Sequence, residues 1–548
     1  MSHVHHGPGE AAPRQSAPQT PPRTGLQADV VSGFLVFLIA LPLCLGIAMA
    51  SGVPPVAGVL TAIVGGLVVS HVGSARLTIK GPAAGLIVIA LGAVTELGRG
   101  DAAAGYRRAL AVGVVAGALQ VALALSRAGA LGDLMPRSVV HGMLAAIGVI
   151  IVSKQTHTLL GVSPHAKEPL ELIAEIPRSI AGANLVVALV GAGALLILFG
   201  LPKLRVGWAK KVPAPMAVLL VAVPLSLVFD FRHAHAVGLA GHLYDVGPKA
   251  LVQLPGDLLG AVTFPDFGEI TSGTSLKYVV MFTLVGGIES LLSVSAVDSL
   301  DPAKRASDAN KDLLALGIGN MVAAAIGGLP MISEIVRSKA NIDAGAQSRW
   351  SNFFHGAFLL AFVALLPGVV GQIPLAALAA MLIYTGSRLA SPAEVRHVFQ
   401  IGRDQLLLFA VTCVVTLATD LLVGVGAGVL LKVMLHLVRG VSVRELFRSR
   451  VEVEREGARM RVLVKSPAVF TNLLGLRRTL ARLPEGVTEV VVDFTEARVV
   501  DHTTLERVHA IADEWPSAAL AITGLDRHAK VSAHPRSVHV RAAEVTTS

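Results

Sequence analysis

Residues 76–86 read RLTIKGPAAGL, and residues 327–341 read GGLPMISEIVRSKAN. In the first stretch Thr78 and Ile79 precede Lys80, Gly81 and Pro82, and a helix-forming run then starts at about Ala83. Proline suits the first turn of a helix, and glycine permits close backbone approach. In the second, Gly327, Gly328 and Pro330 break the chain, and a short helix begins near Val336. The helical pieces, near 83–95 and 336–345, are too short to cross a bilayer alone. They occupy comparable positions in two seven-segment halves. Such a matched pair marks a midplane site in an inverted-repeat transporter, where irregular backbone is tolerated only if buried or lining a cavity. Two half-helix amino ends facing one another would gather free N–H groups and positive dipole ends, which suits an anion. The alternative for each break is a Pro/Gly kink in an ordinary spanning helix.

The surrounding chain fits a membrane. Its 548 residues are 53% hydrophobic and only 15% charged, with a mean hydropathy of +0.67. Soluble domains carry about 25% charged residues. Apolar segments recur at 30–50, 56–72, 106–126, 138–153, 184–200, 213–229, 276–297, 311–326, 352–367, 373–387, 405–419 and 421–438. With the two short helices these make 14 segments of an all-α polytopic membrane protein, a 7+7 inverted repeat with both ends on one side. Loops holding Arg127, Arg137, Lys203, Arg205, Lys210, Lys211, Lys304, Arg305, Arg349, Arg388, Arg396, Arg403 and Arg439 are dense in positive charge, so both termini are expected in the cytoplasm. The net charge of +9 serves topology rather than nucleic acid, since aromatics are only 4%. Cys44 and Cys413 both lie in apolar runs, which excludes a disulfide scaffold or zinc cluster. No nucleophile–base pair, P-loop or metal-ligand spacing points to an enzyme, and no cofactor is expected.

Domain boundaries follow from composition. Residues 1–27 read as a disordered tail, 28–438 as the membrane domain, 439–458 as a linker, 459–541 as a small cytoplasmic α/β domain and 542–548 as a tail. Strands are expected at 461–465, 487–493 and 518–523, with helices at 469–482 and 503–514.

Charges at membrane depth are costly and therefore functional suspects. Glu289 sits in the middle of the eighth span with Ser293 four residues on, sharing one helix face. A carboxylate there suits a proton or sodium as coupling ion. Arg337 and Lys339 open the second half-helix, Glu334 precedes it, and Lys80 precedes the first. Arg337 is expected either to meet the substrate charge or to pair with Glu289 or Glu334. Lys80 could draw the anion in or pair with a carboxylate.

Together the stretches resemble the SulP/SLC26 family of anion transporters over residues 28–541. The resemblance rests on Pro42 followed by GVPPVAG (52–58), GPAAG (81–85), GGIES (286–290), DANKDLLALGIGNMVAAAIGGLP (308–330) and VRSKANIDAGA (336–346). It implies a core and a gate domain, a C-terminal STAS domain and a homodimer. It also implies a substrate site between the third and tenth helices at Ala83, Ala84, Ile335, Val336, Arg337 and Ser338. VVVDFTEARVVDHTTLERVHAI (490–511) resembles the STAS strand, loop and helix. Related stand-alone STAS proteins carry a phosphorylated serine after the loop aspartate, and Thr503 would be its counterpart, although capping of a helix by Asp501 or Thr503 is the plainer role. A cytoplasmic regulatory partner of that domain is expected on the same ground. Three positions depart from the family: Val336 stands where Ser is usual, Glu334 replaces a small polar residue, and Lys80 adds a charge. These bear on which anion is carried. They resemble a bacterial subgroup linked with carbonic anhydrases, a hint of bicarbonate.

The expected function is secondary active transport of sulfate or bicarbonate across the inner membrane, driven by H+, Na+ or anion exchange. Two other readings compete. One is a nucleobase permease of the same fold, with Glu289 and Glu334 on the base. The other is a signalling protein whose STAS-like domain is the output.

Overall fold

The computed structural model describes residues 25–127, 135–166, 168–204, 212–239, 241–253, 260–303, 305–419, 421–480, 483–512, 515 and 518–541. Residues 1–24 and 542–548 of the two tails, and Arg205, Lys210, Lys211 and Lys304 of the orienting loops, lie outside the described residues.

The first half comprises α1 (Leu26–Ala50), α2 (Pro55–Val72), β1 (Ile79–Pro82), α3 (Ala84–Gly98), α4 (Ala102–Leu125) and α5 (Arg137–Leu159). It continues with the amphipathic α6 (Pro169–Ala181), then α7 (Leu185–Lys203) and α8 (Ala214–Val228). A hairpin of β2 (His235–Leu239) and β3 (His242–Val246) leads to the second half. There α9 (Gly273–Asp298), α10 (Ala309–Ala325), β4 (Met331–Glu334), α11 (Ile335–Asp343) and α12 (Trp350–Leu365) follow. The half closes with α13 (Leu375–Leu389), α14 (Pro392–Ile401), α15 (Arg403–Ala418) and α16 (Leu421–Val438). Helix α1 includes Leu26 and Gln27, so the last two residues read as tail are helical.

Seven helices among the described residues are long and apolar enough to span a membrane. They are α1, α2, α4, α5, α7, α9 and α16. Others are shorter: α3 reaches only Gly98 and α11 only Asp343. The helices sort into two groups by packing. Helix α4 lies on α10, α1 on α12, and α3 on α4; separately, α5 lies on α13 and α15, α7 on α13, and α15 on α16. Small residues set the distances. A Cβ at Gly117 would come within 2.8 Å of the Gly317 carbonyl, and one at Gly148 within 2.5 Å of that of Gly386. With apolar lipid outside, such close packing is what holds membrane helices together.

The C-terminal domain forms a four-stranded sheet in the order β5 (Val451–Glu456), β6 (Arg459–Val464), β7 (Glu489–Asp493), β9 (Ala519–Thr523). Helices α17 (Leu473–Leu480) and α18 (His502–Ala512) cover one face. Beneath them Val462, Val490, Val492, Leu476 and Val508 form the core. A second sheet joins β8 (Val499–Val500), β11 (His539–Arg541) and β10 (His528–Lys530). Strand β5 falls in the stretch read as linker. Its hydrophobic positions, Val451 and Val453, pair with Val464 and Val462, and this alternation extends the sheet by one antiparallel strand.

This domain docks on the last membrane helix. Lys432, one and a half turns before the end of α16, reaches into it. Its Nζ lies 3.2 Å from Asp501 Oδ2 and donates to Thr503 Oγ1 at 2.7 Å. The Lys432 and Asp501 side chains are 2% and 0% exposed. Asp501 caps α18 by accepting from the Thr504 amide at 2.6 Å and also accepts from the Phe470 amide at 3.0 Å. Burial alone would raise the Asp501 carboxyl. The charge of Lys432, the His436 ring 3.5 Å away and the Thr504 amide outweigh it and hold Asp501 well below the usual carboxylate range. The stabilisation from a lowered acid is complete above its unfolded pKa of about 3.9 and fades only as pH falls through the folded value. Docking is therefore expected to persist in mild acid. Thr503, proposed from sequence as a phosphosite, is buried with its hydroxyl against this lysine.

Lys432→Met leaves Asp501 buried without its cation, and breaking such a pair from one side costs about 3–5 kcal/mol. Limited trypsin digestion of the purified variant should release the C-terminal domain faster than in the parent protein. Equal cleavage rates would show that the pair does not hold the domain.

Candidate functional site

The two broken stretches meet. β1 pairs antiparallel with β4 in the register Ile79↔Glu334, Lys80↔Ser333, Gly81↔Ile332 and Pro82↔Met331. Each strand feeds a half-helix, α3 after Pro82 and α11 after Glu334. Because the strands are antiparallel, the helices leave in opposite directions with their amino ends turned toward the pair. The residues at the cap positions, Ala83 and Glu334, give their own helices no side-chain capping hydrogen bond.

Buried side chains satisfy the irregular backbone around the pair. Asn320 Oδ1 accepts from the Met331 amide at 2.7 Å, and Thr61 donates to the Leu329 carbonyl at 3.0 Å. Asn341 Nδ2 donates to the Leu77 carbonyl at 3.0 Å, Asn352 Nδ2 donates to that of Gly65 at 2.9 Å, and the Tyr106 hydroxyl donates to that of Gly327. Ser338 accepts from the Ile79 amide at 2.8 Å and so ties α11 to β1. These asparagines were missed from sequence, although polar residues in apolar runs carried the signal.

The charged residues divide into three sets. Lys80 is neutralised: its Nζ lies 3.2 Å from Asp312 Oδ1 and 2.6 Å from Ser333 Oγ, and all three side chains are buried. Asp312 also accepts from Ser74 Oγ at 2.5 Å and the Ala75 amide at 3.0 Å. Of the two roles weighed for Lys80, the structure has the pairing. Asp312 was not singled out from sequence.

Arg337 is 2% exposed and faces away from Ile335 and Val336, which are 43% and 52% exposed. Its Nη1 lies 3.5 Å from Cys44 Sγ and against Gly81, where a Cβ would sit 2.5 Å from it. Among the described residues no carboxylate lies within 4.0 Å of the guanidinium, Glu289 and Glu334 included, and Nε has no partner. His355 on α12 is fully buried, and neither ring nitrogen has a partner. Sequence reasoning passed over this histidine.

Glu289 and Glu334 converge on the amino end of α3. The Glu289 carboxylate packs so closely on Gly85 that a Cβ there would overlap both oxygens. The Glu334 carboxylate lies at the Ala84 amide. Glu289 Oε2 and Glu334 Oε1 are buried acceptors without a donor. A π turn at Phe282–Gly286 precedes Glu289 in α9. Ser293, one helical turn beyond Glu289, is buried, as is Ala83, while Ala84 is partly exposed. The site thus combines two helix starts, one unpaired guanidinium behind the strands and two carboxylates with an unused oxygen each.

Comparisons with known proteins identify the family. The sequence profile of the sulfate permease family matches residues 26–412. "Putative sulfate transporter YvdB" of Bacillus subtilis (strain 168) is 27% identical over 416 residues, covering 75% of this chain and 74% of that protein. The bicarbonate transporter BicA of Synechocystis sp. (strain ATCC 27184 / PCC 6803 / Kazusa) is 25% identical, over 76% of this chain and 70% of BicA. Among solved structures, the transmembrane domain of a cyanobacterial BicA superposes with a TM-score of 0.62 at 24% identity, covering 74% of this chain and 97% of that one. The murine anion transporter Slc26a9 in its inward-facing state gives 0.67 at 13% identity, over 92% of this chain and 86% of that one. The chain is therefore a multi-pass membrane anion transporter that belongs to the sulfate permease family.

Proposed function

We propose that the protein is a secondary active transporter of a small inorganic anion of the sulfate or bicarbonate class, working by alternating access. The observation that carries this reading is the antiparallel β1–β4 pair, which sets two half-helix starts toward one spot. The anion sits at Ala83, Ala84, Ile335 and Val336. Arg337, buried and without a carboxylate partner among the described residues, supplies positive potential from behind the strands, and Ser338 fixes the register. Glu289, with Ser293 beside it, takes the coupling proton or sodium, unless the cycle is an anion exchange. The helices around α1, α3, α4, α10 and α12 form the moving core, and those around α5, α7, α13, α15 and α16 the gate. The STAS-like domain is anchored to the gate through Lys432. The protein works as a homodimer in the inner membrane with both ends in the cytoplasm, where a partner reads the STAS-like domain.

A second reading has one observation in its favour. Two carboxylates converging on one helix start could bind the N–H edge of a nucleobase. Uptake measurements separate the two.

Purified protein in proteoliposomes should take up labelled bicarbonate or sulfate with saturation, at a rate that responds to a proton or sodium gradient or to trapped anion. Uptake of uracil with no anion flux would replace this reading with the nucleobase one.

Arg337→Ala should insert normally and lose most flux, at least about tenfold, if its charge contributes the 1.4 kcal/mol that a tenfold change represents. Gly85→Ala, which forces Glu289 off the start of α3, should do the same. Normal flux in both variants would remove the half-helix site from the transport path.

A further inference from the structure

Immediately after α16, residues 439–450 read RGVSVRELFRSR, with arginines at 439, 444, 448 and 450. Arg439 is matched, its Nη2 lying 2.9 Å from Asp404 Oδ2. The exposed Arg444, Arg448 and Arg450 have no carboxylate within 4.0 Å among the described residues. Glu445, the acid among them, is already engaged. The Ser442 amide and hydroxyl both donate to its Oε2, at 3.1 and 2.8 Å.

The segment is held in place. Val441 and Leu446 are buried in a small core with Val469, Val499 and Val538. The Thr471 hydroxyl donates to the Leu446 carbonyl at 2.5 Å, and Asn472 Nδ2 donates to that of Glu445 at 3.1 Å. With Leu446 turned inward from its single turn (Val443–Leu446), Val443 and Phe447 are left 64% and 73% exposed. They follow an exposed apolar stripe on α16, where Leu430, Met434 and Val438 recur every fourth residue. Such a stripe on a spanning helix faces lipid, and its continuation past Val438 puts this segment at the bilayer surface. There Arg444, Arg448 and Arg450 line a cleft of about 200 Å³ with Lys465, which is itself paired with Glu452.

We infer that this cleft binds the phosphate of an anionic phospholipid, with Val443 and Phe447 set among its acyl chains. Guanidinium groups match phosphate oxygens two bonds at a time, and these three have no acid of the protein to satisfy first. A zwitterionic lipid brings its own cation and gains less from them. A free phosphate would suit the arginines equally but would leave Val443 and Phe447 in water, so the apolar pair favours a lipid as the source. The bound lipid gives the C-terminal domain a second hold on the membrane beside Lys432, whatever anion the protein carries.

Native mass spectrometry of the full chain, released from micelles supplied with equal phosphatidylglycerol and phosphatidylcholine, tests this. The parent protein should retain phosphatidylglycerol in preference. Each arginine near an anionic surface strengthens binding about fivefold, so the triple variant Arg444→Gln, Arg448→Gln, Arg450→Gln should lose that preference by at least about tenfold. An unchanged melting temperature checks that the variant folds. Phe447→Ser should weaken phosphatidylglycerol retention with all the arginines present. Equal retention of the two lipids by the parent, or a preference that survives in the triple variant, would overturn the inference. Displacement of the lipid by millimolar glycerol phosphate, with Phe447→Ser without effect, would assign the cleft to a soluble phosphate and overturn the lipid.

Discussion

In hydrocarbon there is no water to receive a backbone N–H or C=O, so a helix can stop at mid-depth only if something else takes over its hydrogen bonds. Here that partner is another broken segment. β1 and β4 each supply the other's ladder in the antiparallel register from Ile79↔Glu334 to Pro82↔Met331. Asn320, Asn341, Asn352, Thr61 and Ser338 absorb the remaining groups. The two halves of the chain are thereby crossed at their centres, and the site exists because neither break could be buried without the other.

The same constraint arranges the charges. A lone ammonium in that interior would be costly, and Lys80 is matched by Asp312, whose second oxygen is tied down by Ser74 and Ala75. Arg337 has no such match among the described residues and rests instead against Cys44 and Gly81. Positive potential thus lies behind the strands, and acceptors lie at the start of α3. The helices fall into two packed groups, and Lys432 ties the soluble domain to one of them. The domain therefore sits on the α16 group, and the β1–β4 pair belongs to the other.

Legibility from sequence followed the physical scale of each signal. Membrane spans are long, uniform and apolar, so their number and order could be read directly, as could the two Gly/Pro breaks. The half-helix starts were placed within a residue or two: about Ala83 against an observed Ala84, and Val336 against Ile335. The strand at 451–456 was missed because its exposed face, Glu452, Glu454 and Glu456, makes it read as a charged linker. Asp312 and His355 were missed because each looks ordinary among its sequence neighbours. Their significance comes from Lys80, 232 positions earlier, and from being sealed among α12's neighbours.

Local composition by itself therefore determined that this chain lives in a membrane, that it breaks twice at matched depth and that a small α/β domain follows. Those features depend on hydropathy, proline and glycine, which act over a few residues. Which way each charge points was decided only by the folded chain. Arg337 and Val336 are adjacent in sequence yet differ in burial, at 2% and 52% exposure. Lys80 proved paired, and Glu289 and Glu334 proved to share one helix start. A side chain's partner in a buried site is set by contacts hundreds of residues apart, and no local pattern encodes them.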